Sequence, residues 1–224
     1  HSLIGGIMGA GIAGLGFEKL VYDGLAKVFT GIIVAPIGGM MFGIAATGLI
    51  IYFFARKKPA IVNRTFGRLQ IISSAWFALT HGANDGQKTM GIIVLILFSV
   101  GLIDELEMPL WVIFAAAAAM GLGTFFGGYK VIKTLGVKVT RLKPYQGFAA
   151  ETSGGLMLAV FATLGIPAST THAITGTIMG AGAARRKRAV RWKVSRQIIF
   201  SWVITIPGAA GLGIAFTYLI HLFV

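Results

Sequence analysis

Long apolar runs dominate the chain, and its polar residues collect in short segments between them. Uninterrupted runs cover residues 31–55, 110–128 and 197–224. A helix of about 20 apolar residues spans the ~30 Å hydrocarbon layer of a bilayer. Each run therefore predicts a membrane-spanning helix. Together the runs predict an all-α integral membrane protein that crosses the cell (inner or plasma) membrane several times.

A fourth apolar run, residues 69–103, contains the polar motif THGANDGQKTMGI at residues 80–92. A straight helix of about 35 residues would be roughly 50 Å long, which exceeds the hydrocarbon thickness. Gly82 and Gly86 flank the polar centre of the motif, so we predict that the helix breaks there. A broken helix would offer carbonyl oxygens to a cation and N–H groups to an oxyanion.

A fifth apolar run, residues 147–184, is divided by GIPAST at residues 165–170. Gly and Pro end one helix there, and Ser169 or Thr170 can cap the next. Basic segments flank the run at both ends, so it must return to the side on which it starts. We predict a re-entrant helical hairpin whose tip lies inside the membrane, and a pair of short crossing helices is the alternative.

Basic residues indicate on which side of the membrane the connections lie. The net charge is +13, and seventeen of the twenty Lys and Arg fall within residues 56–68, 130–143 and 185–196. Each segment separates two apolar runs, which is the pattern of cytoplasmic loops. Such loops can also contact the headgroups of membrane lipid. Nucleic acid is excluded as a partner because no soluble module carries this charge.

The chain contains an internal repeat. Its first 13 residues, HSLIGGIMGAGIA, match residues 172–184, HAITGTIMGAGAA, at eight positions without a gap. The same offset of 171 residues carries Pro36 onto Pro207. The second copy follows a long stretch that has no counterpart before His1. We therefore expect the chain to be the C-terminal portion of a longer protein, whose missing N-terminal half carries a second signature motif.

The repeat also predicts the organisation of the chain. Residues 1–55 would be the tail of repeat one, residues 56–68 a basic cytoplasmic loop, and residues 69–224 repeat two. The first copy precedes residues 17–27, with two Lys and two acids, whereas the second precedes residues 185–196, with seven basic residues. The two copies are therefore expected to end on opposite sides of the membrane. This predicts an inverted-topology repeat transporter with its substrate at the repeat interface.

Polar residues within the motif are candidates for function because ionisable groups are expensive to bury in a membrane. Asp85 is therefore a candidate functional residue, or it could only form an ion pair with Lys88, three residues later. Asn84 offers donors and an acceptor, which suit a cation or a phosphate oxygen. His81 could orient Asn84.

Further candidates lie in the predicted hairpin and in the first copy of the repeat. Glu151 is a ligand of the coupling cation or a proton carrier; alternatively, it lies near the cytoplasmic mouth, hydrogen-bonded or paired with a basic loop. His172 and His1 are related by the repeat, and either could pack in the core or titrate in a proton-linked cycle. Three hydroxyls at the hairpin tip could donate to an oxyanion or cap the next helix. They are Ser169, Thr170 and Thr171.

Two motifs resemble those of a known family. HGANDGQKTMG at residues 81–91 is similar to the duplicated signature of the inorganic phosphate transporter family, and PASTTH at residues 167–172 is similar to its second motif. The similarity extends along the whole chain in order and spacing. The GQK continuation is typical of bacterial low-affinity phosphate transporters. The resemblance implies uptake of inorganic phosphate by symport with a cation.

The resemblance also implies roles for individual residues. Asn84 and Asp85 would line the phosphate and cation site, and the three hydroxyls of the hairpin tip would donate to phosphate. Ser2, with His1, would be the remnant of the matching motif in repeat one. The coupling cation would be a proton or sodium, and the substrate free phosphate or a metal–phosphate complex. The oligomeric state, including a homodimer, is left open.

Three other functions compete with phosphate symport. Sulfate is the alternative substrate because it is also a tetrahedral oxyanion, although only phosphate can be protonated near neutral pH and donate to Asp85. A membrane enzyme would use Asp85 with His81 or His172 as acid and base, but no nucleophile motif or metal-ligand spacing is present. With no cysteine in the chain, we expect no bound metal and no cofactor. A passive channel would show no uptake against a gradient.

Overall fold

The computed structural model describes residues 1–223, apart from the side chain of Lys187. Over these residues the protein is helical and contains no strand. The α-helices are α1 Ser2–Leu15, α2 Tyr22–Phe54, α3 Pro59–Ser99, α4 Leu110–Lys133, α5 Pro144–Thr163, α6 Thr170–Ala183 and α7 Trp192–His221. A π-helix, Thr134–Val139, extends α4, and short 3-10 turns cover Phe17–Lys19 and Lys187–Ala189. The predicted all-α class is confirmed.

Three helices of the described chain are long and apolar enough to cross a membrane, namely α2, α4 with its π-helical extension, and α7. Their mean hydropathies are 2.0, 1.8 and 1.9. They cover nearly all of the three uninterrupted apolar runs, so the predicted helices there are confirmed. Large apolar side chains such as Phe42, Phe125 and Phe216 are exposed on them. Such faces suit contact with hydrocarbon rather than with water.

The polar motif lies inside one continuous helix, because α3 extends over Pro59–Ser99 without interruption. The predicted break at Gly82–Gly86 is therefore wrong. Polar side chains three and four residues apart meet on one helical face. The polar side chains of the motif can therefore pair with one another within a continuous helix. Glycine keeps its backbone N–H and costs only about 1 kcal/mol in a helix. The side chain of Asn84 donates back to the carbonyl of Thr80 at 3.2 Å.

The first end of α3 extends beyond the apolar run into the basic segment. The basic segment predicted as a loop over residues 56–68 is helical from Pro59 onward. Proline suits the first turn because its missing N–H has no helical partner there. With 41 residues, α3 is about 60 Å long, twice the hydrocarbon thickness. Residues 59–68, which precede the apolar run, account for about 15 Å of that length, and residues 69–99 of the apolar run account for about 46 Å.

The chain forms two compact units, and the first comprises residues 1–30 and 191–224. Within it, α1 packs closely against α7. Small residues allow this contact, since a Cβ atom on Gly9 would lie 2.8 Å from the Cα of Ala210. The Nδ1 atom of His1 lies 3.3 Å from the carbonyl oxygen of Trp202. The start of α1 is thereby connected to α7.

The second unit comprises residues 31–190. Within it, α5 packs against both α3 and α6, and α4 packs against α3. The chain turns between α5 and α6 at Gly165, whose φ of +63° favours glycine. Ser169 then caps α6 by accepting a hydrogen bond from the N–H of His172 at 3.4 Å. The predicted helix–turn–helix at GIPAST is confirmed, whereas its depth in a membrane stays a prediction.

Glycines bring the backbones of α2 and α6 into contact within the second unit. A Cβ atom on Gly43 would lie 2.9 Å from the Cα of Thr177, and one on Gly176 would lie 3.0 Å from the Cα of Pro36. Close approach of this kind is typical of helices that pack in membranes through small residues. It fixes α6, and with it the position of the α6 N-terminus.

We predict that Gly43→Ala destabilises the protein, whereas Gly48→Ala on the same helix does not. The new methyl group at position 43 would collide with the backbone of α6, while nothing lies within 4 Å of a Cβ atom at position 48. Overpacking of this kind costs about 1–3 kcal/mol. Thermal unfolding of the full-length protein in detergent should show a lower Tm for Gly43→Ala alone. Equal Tm values for the two variants would contradict the α2–α6 contact.

Candidate functional site

The polar motif places three ionisable side chains along one face of α3. Asp85 accepts from Lys88 Nζ at 3.1 Å through Oδ1, and its Oδ2 lies 3.1 Å from His81 Nε2. The three side chains are each about one-third exposed. His81 also stacks on Phe77, with ring centroids 6.1 Å apart. The predicted pairing of Asp85 with Lys88 is present, and it leaves both groups accessible to a ligand.

The start of α6 completes this group from the opposite side. The hydroxyl of Thr170 donates to Asp85 Oδ2 at 2.7 Å, and Lys88 Nζ donates to the carbonyl of Ala168 at 2.9 Å. Thr170 and Ala168 are both buried. The motif of α3 and the tip of the α5–α6 hairpin therefore meet. We call His81, Asp85, Lys88 and Thr170 the signature cluster.

The signature cluster combines the elements of an anion site with those of a cation site. The ammonium of Lys88, the hydroxyl of Thr170 and the first N–H groups of α6 are donors to an oxyanion. The carboxylate of Asp85 can accept from a protonated anion or bind a cation. Because the cluster is partly buried, its charges act through a medium of lower dielectric constant than water. Recognition of a small ion is therefore chemically feasible here.

Asn84 lies beside this cluster but faces α5. Its side-chain amide donates to Thr80 O at 3.2 Å and lies 3.5 Å from Leu158 O. These contacts connect the centre of the motif to the backbone of two helices. Gln87, which shares the motif, is exposed.

A second carboxylate cluster forms where α5 crosses the earlier turns of α3. Glu151 Oε2 accepts from Ser73 at 2.6 Å and from Ser74 at 3.0 Å, and Oε1 accepts from Gln70 at 3.2 Å. Among the described residues these partners are neutral donors rather than a basic loop. Both carboxylate oxygens of Glu151 therefore accept hydrogen bonds from α3. We call these four residues the Glu151 cluster.

The remaining predicted residues are not members of the two clusters. Ser169 caps α6 beside Thr170, while Thr171 is exposed. His172 is buried, and its Nδ1 lies 3.2 Å from the carbonyl oxygen of Ile32. His1 and Ser2 belong to the first unit. The structure thus brings together Asp85, Lys88, His81 and Thr170, and it does not bring Thr171 to them.

Sequence analysis missed the partners of Glu151. The signal is present in the sequence, because Gln70, Ser73 and Ser74 are polar residues three and four positions apart in an apolar helix. Such spacing places them on one face. Their meeting with Glu151 depends on the packing of α3 against α5, which no local pattern in the chain reveals.

Comparison with known proteins identifies the family. The model of the phosphate transporter family matches residues 52–213, which include both clusters. The chain belongs to this family. It is 47% identical, over 94% of its length, to a probable low-affinity inorganic phosphate transporter of Rhizobium meliloti (strain 1021). It is 39% identical, over 95% of its length, to a probable low-affinity inorganic phosphate transporter of Bacillus subtilis (strain 168).

The chain spans a little less than two thirds of these relatives, with 63% and 64% of their lengths covered. Family membership and the apolar helices together show that it is an integral membrane protein. Because the relatives are named as transporters, the family is one of transporters and not of enzymes. The resemblance noted in the sequence is confirmed.

A solved structure named as the sodium-dependent phosphate transporter has a similar fold. The TM-score is 0.82, with 24% sequence identity, and the match covers 98% of this chain and 72% of that one. The fold of the chain is therefore similar to that of this solved structure.

We predict that Thr170→Val lowers the stability of the protein, whereas Thr171→Val leaves it unchanged. The valine at position 170 would remove a hydrogen bond to the Asp85 carboxylate, and such bonds contribute roughly 1–2 kcal/mol. Thr171 is exposed and provides a matched control with the same chemical change. The Tm of each purified full-length variant in detergent is the measurement. A larger loss for Thr171→Val would contradict the described hairpin tip.

Proposed function

We propose that the full-length protein takes up inorganic phosphate across the cell membrane by symport with a cation. The observation that carries the proposal is the signature cluster, in which a lysine, a hydroxyl and a helix N-terminus converge on one carboxylate. Membership of the phosphate transporter family supports this reading. The names of the relatives favour phosphate over sulfate.

Phosphate would bind at the signature cluster by replacing contacts that the cluster now makes with itself. Lys88 and Thr170 would turn from Asp85 to the anion, and the first N–H groups of α6 would add donors. A protonated phosphate oxygen would donate to the freed carboxylate of Asp85. Sulfate has no proton near neutral pH, so it would leave that carboxylate facing a like charge. The cluster is therefore suited to phosphate. Asn84 and Ser169, which lie next to members of the cluster in the sequence, would add further contacts to the bound phosphate.

The coupling cation would bind near carboxylates, either at Asp85 with Asn84 or at the Glu151 cluster. In the Glu151 cluster two serine oxygens and the Gln70 amide oxygen could turn toward a cation beside the carboxylate. Hard monovalent cations take oxygen ligands of this kind. The name of the similar solved structure makes sodium the first cation to test, with protons second.

Transport would follow from the predicted repeat. In this proposal the α5–α6 hairpin is re-entrant, and it is related by inverted topology to a hairpin whose remnant is α1. Ser2 and His1 would then supply the equivalent of the α6 N-terminus, and the remaining length of the protein would supply the second signature motif. Alternating access would come from movement of the two repeats around the bound ions.

We expect Asp85→Asn to reduce phosphate uptake about tenfold or more in proteoliposomes that contain the full-length protein. The amide removes the negative charge that holds Lys88 and receives the phosphate proton. Labelled phosphate uptake is measured under sodium and proton gradients, with excess sulfate as competitor. Glu105→Gln removes one exposed acid elsewhere and should transport normally. Uptake that sulfate displaces, or that survives Asp85→Asn, would overturn the proposal.

We expect Glu151→Gln to raise the cation concentration that gives half-maximal uptake, with less effect on the affinity for phosphate. The substitution keeps the size of the side chain but removes the charge that attracts the cation. Uptake rates are measured against sodium concentration at fixed phosphate, and then against phosphate at saturating sodium. Glu107→Gln is the matched control, since Glu107 is exposed. An unchanged cation dependence would remove Glu151 from the coupling site.

A further inference from the structure

Two cavities adjoin at the end of the second unit where the segment 140–143 meets the connection after α6. Their volumes are about 370 and 360 Å³, within the usual range for small-molecule sites. Both are lined by Lys143 and Arg185. We call the two cavities together the basic pocket. It lies outside both carboxylate clusters, none of whose residues lines it.

The basic pocket carries a concentrated positive charge. One cavity is also lined by Lys57, and the other by Arg141, Arg186 and Arg188. Neither has an Asp or Glu among its described lining residues. The ion pairs of the described chain are both on Asp85, so these cations have no carboxylate partner there. A concave surface of one charge sign raises the local concentration of the opposite ion.

Ordered backbone forms the walls of the basic pocket. Thr140 and Val190, on the two connecting segments, are 2% and 3% exposed. Gln146 is also buried, and its amide donates to Ala181 O at 2.8 Å while its carbonyl accepts from Lys143 N at 3.0 Å. The segment before α5 is thus connected to α6. The basic side chains of the pocket therefore extend from backbone segments that are held by burial and hydrogen bonds.

Two further features suit an anion that carries hydroxyl groups. The N-terminus of α5, at Pro144, lies between lining residues Lys143 and Tyr145, and helix N-termini favour negative charge. Asn63 lines the first cavity, and its Oδ1 is buried without a hydrogen-bond donor from the described residues. A hydroxyl of a bound molecule could donate to this oxygen.

We propose that the basic pocket binds a phosphate-bearing anion at a site separate from the signature cluster. Arginine matches phosphate oxygens through paired N–H groups, and lysine adds a point charge. The phosphate group could belong to the headgroup of an anionic phospholipid or to free phosphate on the predicted cytoplasmic side. The two sources share this chemistry. The proposal does not depend on phosphate being the transported substrate.

The first arm of the test measures lipid binding to the full-length protein in detergent, at constant ionic strength. Short-chain phosphatidylglycerol should bind saturably by native mass spectrometry, and phosphatidylcholine should not compete. Lys143→Gln with Arg185→Gln should weaken binding about tenfold or more. Arg64→Gln with Arg68→Gln removes two exposed cations outside the pocket and should change it less than about twofold. Arg141→Gln with Arg186→Gln is a second variant for use if the first fails to fold.

The second arm measures binding of labelled inorganic phosphate to Lys88→Gln protein, from which the cationic donor of the signature cluster has been removed. Saturable phosphate binding that the pocket variants abolish would identify free phosphate as the ligand. Lipid binding that inorganic phosphate does not displace would identify the headgroup. Either result supports the basic pocket. Absence of saturable binding in both arms, or equal loss in the Arg64 and Arg68 control, would overturn it.

Discussion

The negative charge of Asp85 needs polar or charged partners, because apolar sequence surrounds it. In the second unit, α3 and α6 supply these partners. An unpaired charge in such surroundings costs at least a few kcal/mol. Compensation comes from Lys88 and His81 on the same helix and from Thr170 across the contact with α6. The contacts with His81 and Lys88 are local to α3 and could form in an isolated helix. The third exists only when α6 begins at the right place.

The placement of α6 depends in turn on residues that have no polar chemistry. Glycines at positions 39, 43, 176 and 180 let α2 and α6 meet backbone to backbone. A turn at Gly165 and the capping hydroxyl of Ser169 determine where α6 starts. The contact of Thr170 with Asp85 is therefore positioned partly by Gly176 and Gly180, about two and three turns farther along α6, where that helix packs on α2. Small residues outside the charged group thus help to determine where its members meet.

Much of this arrangement could be predicted from the sequence, because the signals are local. Apolar runs identified α2, α4 and α7, and GIPAST identified the turn between α5 and α6. The polar motif identified Asp85 and Lys88. The continuity of α3 was not predicted, because the expected break came from comparing the length of the apolar run with the thickness of the bilayer. The partners of Glu151 were also missed, because they depend on which helices pack together.

The continuity of α3 connects the two carboxylate clusters mechanically. The polar positions Gln70, Ser73 and Ser74 have the same spacing as His81, Asn84 and Asp85, which lie eleven residues later. Eleven residues make about three turns and roughly 16 Å, so both triplets point in nearly the same direction from the helix axis. A rotation or shift of α3 as a rigid rod would move both triplets together. The contacts of Glu151 and those of Asp85 would then loosen together, so a displacement at one end of this helix would be transmitted to the polar group at the other.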